Sequence, residues 1–383
     1  MGRLGFSGVT RLPVRLFAIA ISLAIALTSA PAAAREEQLL QAQMHSGLLS
    51  AFFNRDVGIV ASILLPDDYY KAPGRRFPTI YVVHAFGDSH FVDSVKMLEW
   101  QRAQRADHVE FIVVFLDANI NEGHHVFADS ENYGPWGTAL VTEFIPQTDK
   151  HFRTVADPRA RFVSGHSSGG WSSLWLQISH PDVFGGVWSI SPDPVDFHDF
   201  TGPDLTLQPP GNFYRDARGN AYTIERRGGH DTMPLERLVN RVPWGIAQFN
   251  SFEEVFSPRG RDGKPEPLFD RRSGAIDPNV AFYWEKHWDV DRVLSDRWPT
   301  IGPQLRGKIH VFVGTEDTFH LDRPVRLMRD ELAKLDGEAQ FTFVPGADHW
   351  SVYAYDHDLV TEIVREMAGR LPSPNPNAAY SGH

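Results

Sequence analysis

Apolar residues along this chain fall into short unbroken runs, separated by longer stretches where they recur at helical spacing. Residues 59–65 (I-V-A-S-I-L-L), 79–84 (T-I-Y-V-V-H), 111–116 (F-I-V-V-F-L), 186–191 and 309–313 (I-H-V-F-V) are such runs or nearly so, and 340–344 (Q-F-T-F-V) reads as a further strand. Each is too short for a buried helix and is followed by turn residues, so each predicts a buried strand. Residues 91–104, 136–152, 324–335 and 359–371 predict helices. Pro135 opens the second at a favourable first position, and Leu359, Val360, Ile363, Val364 and Met367 form one face of the last. Buried strands alternating with helices predict an α/β fold with a mostly parallel sheet and helices on both faces. The polar stretch from Arg35 to Ser46 predicts a helical or irregular lead-in.

Between Asp193 and Pro299 the alternation disappears. This stretch is rich in Pro, Gly, Asp and Arg, and only short helical pieces such as 280–287 stand out. Its aromatic residues (Phe197, Phe200, Phe213, Tyr214, Trp244, Phe249, Trp284 and Trp288 among them) are too many for a disordered segment. Residues 193–299 therefore predict a cap inserted over the C-terminal edge of the sheet, within a domain spanning 35–371. Residues 372–383 predict a disordered tail.

The first 34 residues predict a signal peptide rather than fold. Arg3, Arg11 and Arg15 precede the apolar stretch 16–27, which is too short to span a bilayer, and Ala32-Ala33-Ala34 offers a cleavage site. No twin arginine precedes the apolar run, so Sec-type export to the periplasm or outside a bacterial cell is the expectation. There is no cysteine, which removes disulfides, Cys metal sites and a lipidated Cys anchor. The formal net charge is −11, and the cleaved stretch carries only positive charge, so the remainder is more acidic still. That balance argues against nucleic acid or anionic membranes as partners.

The chemistry centres on residues 161–171, R-F-V-S-G-H-S-S-G-G-W. Phe162 and Val163 end a buried strand, Gly165-His166-Ser167-Ser168-Gly169 fits G-x-S-x-G, and Trp171, Leu174, Trp175 and Ile178 recur at helical spacing. Strand, tight turn and helix are the setting of a nucleophile elbow, whose serine protrudes between residues lacking side chains. The Ser168 N–H, at the helix start, is then free to meet an oxyanion. A serine nucleophile needs a base and an orienting acid, in the order Ser, acid, His, each after a strand. The loop after 309–313, G-T-E-D-T-F, offers Asp317, with Glu316 as the alternative. The loop after 340–344, P-G-A-D-H-W, offers His349, with His320 and His357 as rivals. The second oxyanion donor is expected after 79–84, at the Phe86 N–H, with Ala85 or Gly87 as alternatives.

Several segments together resemble the putative-esterase (esterase D-like) family of α/β-hydrolases, which includes feruloyl and acetylxylan esterases, S-formylglutathione hydrolases, siderophore esterases and mycolyltransferases. They are L-L-P-D-D-Y and F-P-T-I-Y-V-V-H-A-F-G-D, then W-G-T-A-L-V-T-E-F-I-P with D-P-R-A-R-F-V-S-G-H-S-S-G-G, then H-P-D-V-F-G-G-V-W-S-I-S-P, and finally G-T-E-D-T-F and G-A-D-H-W. The resemblance implies an α/β-hydrolase fold with Ser167 as nucleophile, Asp317 as acid, His349 as base, and the Phe86 and Ser168 amides as oxyanion donors. The family's H-G after the early strand is H-A here, and the 193–299 insertion departs from its small members.

The expected reaction is hydrolysis of a small-molecule or carbohydrate-linked ester through an acyl-serine, without cofactor. Transfer to a sugar or lipid hydroxyl is the main alternative; a peptidase or a non-catalytic exported binding protein are others. His125, Tyr133, Trp136 and Trp350 are candidate substrate contacts. His124-His125 with Asp129 and Glu131 are not expected to hold a metal, because adjacent histidines do not converge on one ion without a special turn.

Overall fold

The computed structural model describes residues 38–90, 94–120, 123–353 and 358–372. The signal-peptide stretch, nearly all of the tail and His357 lie outside these residues.

Eight strands form one twisted sheet: β1 (Leu39–His45), β2 (Gly58–Leu64), β3 (Thr79–Val83), β4 (Ile112–Leu116), β5 (Arg161–His166), β6 (Gly186–Ile190), β7 (Ile309–Gly314) and β8 (Gln340–Val344). Their order is β1-β2-β4-β3-β5-β6-β7-β8. From β4 to β8 every pair is parallel, while β1 and β2 are antiparallel to their neighbours. The all-apolar runs are thus the doubly covered centre of an α/β sheet.

The lead-in differs from expectation, because β1 is an edge strand. Leu40, Ala42 and Met44 alternate with Gln41, Gln43 and His45, and the apolar set packs on the core. A period of two in a half-buried edge strand is easily overlooked beside the continuous runs.

One sheet face is covered by α2 (Ser94–Ala106) and α10 (Leu359–Gly369), through Trp100, Ala103, Leu359, Ile363 and Met367. A short α1 (Gly47–Phe53) follows β1. The opposite face carries α3, which comprises Trp136–Ala139, a π-helical turn Leu140–Phe144 and Ile145–His151. The turn has a local cause: Pro146 offers no N–H, and the Ile145 N–H bonds to the Leu140 carbonyl. The same face holds α4 (Ser168–Ser179) and α9 (Asp322–Lys334).

The chain between β6 and β7 is an ordered cap. It contains an antiparallel hairpin (Thr223–Arg227 with His230–Pro234) and helices α5 (Leu235–Arg241), α6 (Pro243–Phe256), α7 (Pro278–Trp288) and α8 (Val290–Leu305). The expected boundary at Pro299 falls inside α8, whose Val290, Val293, Leu294, Ile301 and Leu305 are buried despite two internal prolines. The aromatic residues explain why the cap is fixed. Trp171 and Trp175 of α4 stack at 5.2 Å, Trp171 meets Phe256 at 4.9 Å, and Trp175 meets Trp288 at 5.2 Å. Such pairs contribute about 1 kcal/mol each beyond the area they bury, and they join the cap to the helix that follows the elbow.

Within the cap, Asp289 caps α8 by accepting from the Arg292 N–H (3.1 Å), and its other oxygen accepts from the Phe197 N–H (2.8 Å). Burial, with Asp196 and Asp289 close by, raises the Asp291 carboxyl to about 8. The folded protein thus keeps a proton that the unfolded chain releases near pH 4, and stability is lost as pH climbs from about 4 to 8. Asp291→Asn escapes this loss. Its melting temperature should match the parent near pH 4 and exceed it by a few degrees at pH 8, on the order of 2 kcal/mol. Melting curves that stay together at both pH values would refute this.

Candidate active site

Five strands deliver their C-terminal loops to one place. Ser167 stands between β5 and α4 with φ 58° and ψ −121°, a conformation costly for any residue with a side chain. The packing leaves no relaxed alternative. A Cβ on Gly165 would lie 2.2 Å from the Gly169 carbonyl oxygen, and one on Gly169 would lie 2.1 Å from that of Val83. The elbow therefore needs glycine at both places, and through Gly169 it touches the end of β3, which leads into Ala85-Phe86-Gly87. Ser168 is the first residue of α4, so its N–H has no acceptor within the helix and sits at the positive end of the helix dipole.

Asp317 and His349 are both fully buried. His349 Nδ1 donates to Asp317 Oδ2 at 2.8 Å, which leaves the lone pair on Nε2, and Nε2 has no hydrogen-bond partner among the described residues. Burial opposes ionisation of Asp317, but attraction to His349, its hydrogen bond and the N–H groups of Phe319 and Leu321 outweigh it, holding the carboxyl below its usual range. Glu316 lies apart, with its carboxylate 3.6 Å from Arg226 of the cap hairpin. His320 accepts from the same arginine (2.7 Å), and burial together with Arg323 and Arg226 lowers it to about 4.

The variable residue of the elbow motif has a task that the motif does not announce. His166 Nε2 donates to the His349 carbonyl at 2.9 Å, and the two rings lie 4.5 Å apart. Burial and the neighbouring His349 push His166 down to about 3, so it stays neutral and fixes the histidine loop without competing for a proton.

Ser167, His349, Phe86 and Trp350 line one cavity of about 330 Å³. Ile224, Leu238, Trp244, Phe249 and Phe252 of the cap form its apolar wall, with Phe319 and Leu321 from the acid loop. Trp350 is 61% and Trp244 40% exposed, which places both at its mouth. A larger cavity, of about 560 Å³, lies behind the Ala85–Gly87 turn and includes neither Ser167 nor His349.

His125, Tyr133 and Trp136 are not among the residues lining the Ser167 cavity; they are buried in the core. His125 stacks on Trp136 at 3.8 Å, and the Tyr133 carbonyl accepts from Trp136 Nε1 at 2.8 Å. The loop that carries them is folded inward by these contacts. His124 and His125 each accept a backbone N–H through Nδ1, Asp129 accepts from Thr138, and Glu131 from Arg259. Among the described residues no group of three His, Cys, Asp or Glu is placed to hold a metal ion, and no helix is long and apolar enough to cross a membrane.

A residue absent from the expected set also lines the cavity. Asp193, just beyond β6, accepts from Ser167 Oγ at 3.4 Å and from Ser168 Oγ. The signal was positional: like Asp317 and His349, it is a polar residue closely following a buried parallel strand.

Comparison with known proteins places the chain in a family. The family described as "Putative esterase" matches residues 50–362. Esterase MT1326 of Mycobacterium tuberculosis is 30% identical over 132 residues, covering 34% of this chain and 28% of that protein. An endo-1,4-beta-xylanase/feruloyl esterase of Xylanibacter ruminicola is 25% identical over 144 residues, covering 34% and 19% respectively. The match thus spans less than a third of either relative. A solved ferulic acid esterase superposes with a TM-score of 0.53 at 16% identity, over 87% of this chain and 98% of the other, a likeness of fold. The family match takes in the elbow, the acid loop and the histidine loop, and the chain belongs to the Putative esterase family of α/β-hydrolases.

Proposed function

We propose that the protein is a serine carboxylic-ester hydrolase that works through an acyl-enzyme on Ser167. The observation that carries this reading is the buried His349–Asp317 pair, which leaves His349 Nε2 without a partner among the described residues, in a residue that lines the same cavity as the strained Ser167. Ser167 Oγ turns from Asp193 towards His349 Nε2, gives up its proton and attacks the ester carbonyl. Asp317 stabilises the imidazolium and keeps the ring in the tautomer that accepts at Nε2. The Ser168 and Phe86 N–H groups take the oxyanion, and His349 returns the proton to the leaving alcohol. Water, deprotonated by His349, then releases the acid. Every group in this scheme is supplied by the chain, without a cofactor.

The apolar cavity suits an acyl group of modest size, and the exposed Trp244 and Trp350 suit a sugar or other ring on the alcohol side. The relatives named for feruloyl esters support this choice of a small-molecule or carbohydrate-linked ester. The N-terminal pattern supports export to the periplasm or beyond.

A fluorophosphonate probe tests the nucleophile without knowledge of the substrate. One label per chain is expected, on the peptide that holds Ser167, read by intact and peptide mass. A folded protein that takes no label, or takes it at another serine, would sink the proposal.

A further inference from the structure

Asp193 plays no part in the scheme above, yet it touches the attacking atom. It is 6% exposed, and its own N–H donates to the Ser167 carbonyl at 3.2 Å, which fixes it against the elbow. Oδ1 accepts from Ser167 Oγ (3.4 Å) and Oδ2 from Ser168 Oγ. The cavity it lines is largely apolar, with Pro194, Ile224, Leu238, Phe249 and Phe252 in its walls; of its polar members, Thr201 spends its hydroxyl on the Phe200 carbonyl and Gln248 has no hydrogen bond to Asp193 among those of the described residues. Burial raises the carboxyl to about 6, against the Ser168 hydrogen bond, the attraction of His349 and the Ser167 hydrogen bond. Above that pH it is a carboxylate in apolar surroundings, dependent on the donors within its reach.

Catalysis removes one of them. Once Ser167 has turned to His349 and bonded to the acyl carbon, Oγ has no proton to offer Oδ1. The incoming acyl group also displaces water from the cavity, so Oδ1 is left as a buried acceptor lacking a donor, an arrangement that costs the full desolvation of that atom. The substrate is placed to make good the loss. In the acyl-enzyme the carbon next to the carbonyl is two bonds from Oγ, and Oδ1 lies 3.4 Å from Oγ in the resting site. A hydroxyl on that carbon replaces the serine hydroxyl in kind. An ammonium there would have to shed its hydration in an apolar cavity.

We propose that the enzyme selects esters of 2-hydroxy acids, whose hydroxyl donates to Asp193 while the rest of the acyl group lies against the cap. The proposal rests on the esterase reading of Ser167.

The test compares 4-nitrophenyl esters of mandelate, 2-fluoro-2-phenylacetate (both enantiomers of each) and phenylacetate on the full chain at pH 8. Fluorine approximates the size and electron withdrawal of the hydroxyl but cannot donate. One mandelate enantiomer should exceed both fluoro esters and phenylacetate in kcat/KM by about tenfold or more. Within Asp193→Ala this ratio, which does not depend on how much protein is folded, should fall towards one. If that variant does not fold, Asp193→Asn should still lower the ratio, and in the parent protein the ratio should rise with pH through about 6. Hydroxy and fluoro esters hydrolysed within about twofold of each other, or a preference that survives in Asp193→Ala, would overturn the proposal while the esterase reading stands. Turnover of none of the esters would overturn both.

Discussion

Ser167→Ala is expected to lower kcat on an activated ester by about a millionfold. The size follows from the site's dependence on one atom. In the proposed scheme His349 Nε2 and the oxyanion donors act only on a nucleophile bonded to the acyl carbon, and the variant has none. Water held in the cavity would retain a small residual rate from the oxyanion donors alone. The fold should survive. Alanine accepts the same backbone angles as serine, and Asp193 keeps the Ser168 hydroxyl and its own bond to the residue-167 carbonyl. Melting temperature should therefore move by only a few degrees while turnover falls to that residual rate and fluorophosphonate labelling vanishes. Retention of a hundredth of the parent kcat would point to a different attacking group.

The middle of the sheet was legible because strands such as β3, β4 and β7 are buried on both faces, which turns each into a nearly continuous apolar run that no helix matches. The edge was harder, since β1 shows only three apolar side chains in alternation. The elbow was legible for a steric reason: the approach of Gly169 to the Val83 carbonyl excludes every side chain, and that exclusion is written as a motif. The cap kept its aromatic residues in view but hid its helices. Their faces are completed by Trp171, Trp175 and one another rather than by a regular sheet surface, and α8 runs through two prolines. His125, Tyr133 and Trp136 had the composition of a binding loop, and only the stacking of His125 on Trp136 shows the loop turned into the core. Asp193 shared only its place after a buried strand with Asp317 and His349, and the contact of His166 with the His349 carbonyl is one that no local pattern encodes.

The choice between the two acids of the G-T-E-D loop is settled by a pair of substitutions. Asp317→Asn should lower kcat about ten-thousandfold, and Glu316→Gln by less than about threefold. Asp317 Oδ1 accepts from the N–H groups of Phe319 (2.9 Å) and Leu321 (3.3 Å), so only Oδ2 is turned to His349. An asparagine that keeps those two backbone bonds must point its NH₂ at Nδ1. Nδ1 then has to accept, the ring proton moves to Nε2, and the atom proposed to deprotonate Ser167 can no longer take a proton. The Glu316 carboxylate lies 3.6 Å from the guanidinium of Arg226 and partly in solvent, where an ion pair contributes little. Steady-state kcat at pH 8, with the circular dichroism of each variant as a check on folding, separates the two residues. A large loss in Glu316→Gln with Asp317→Asn near normal would move the acid by one position and remove the tautomer argument with it.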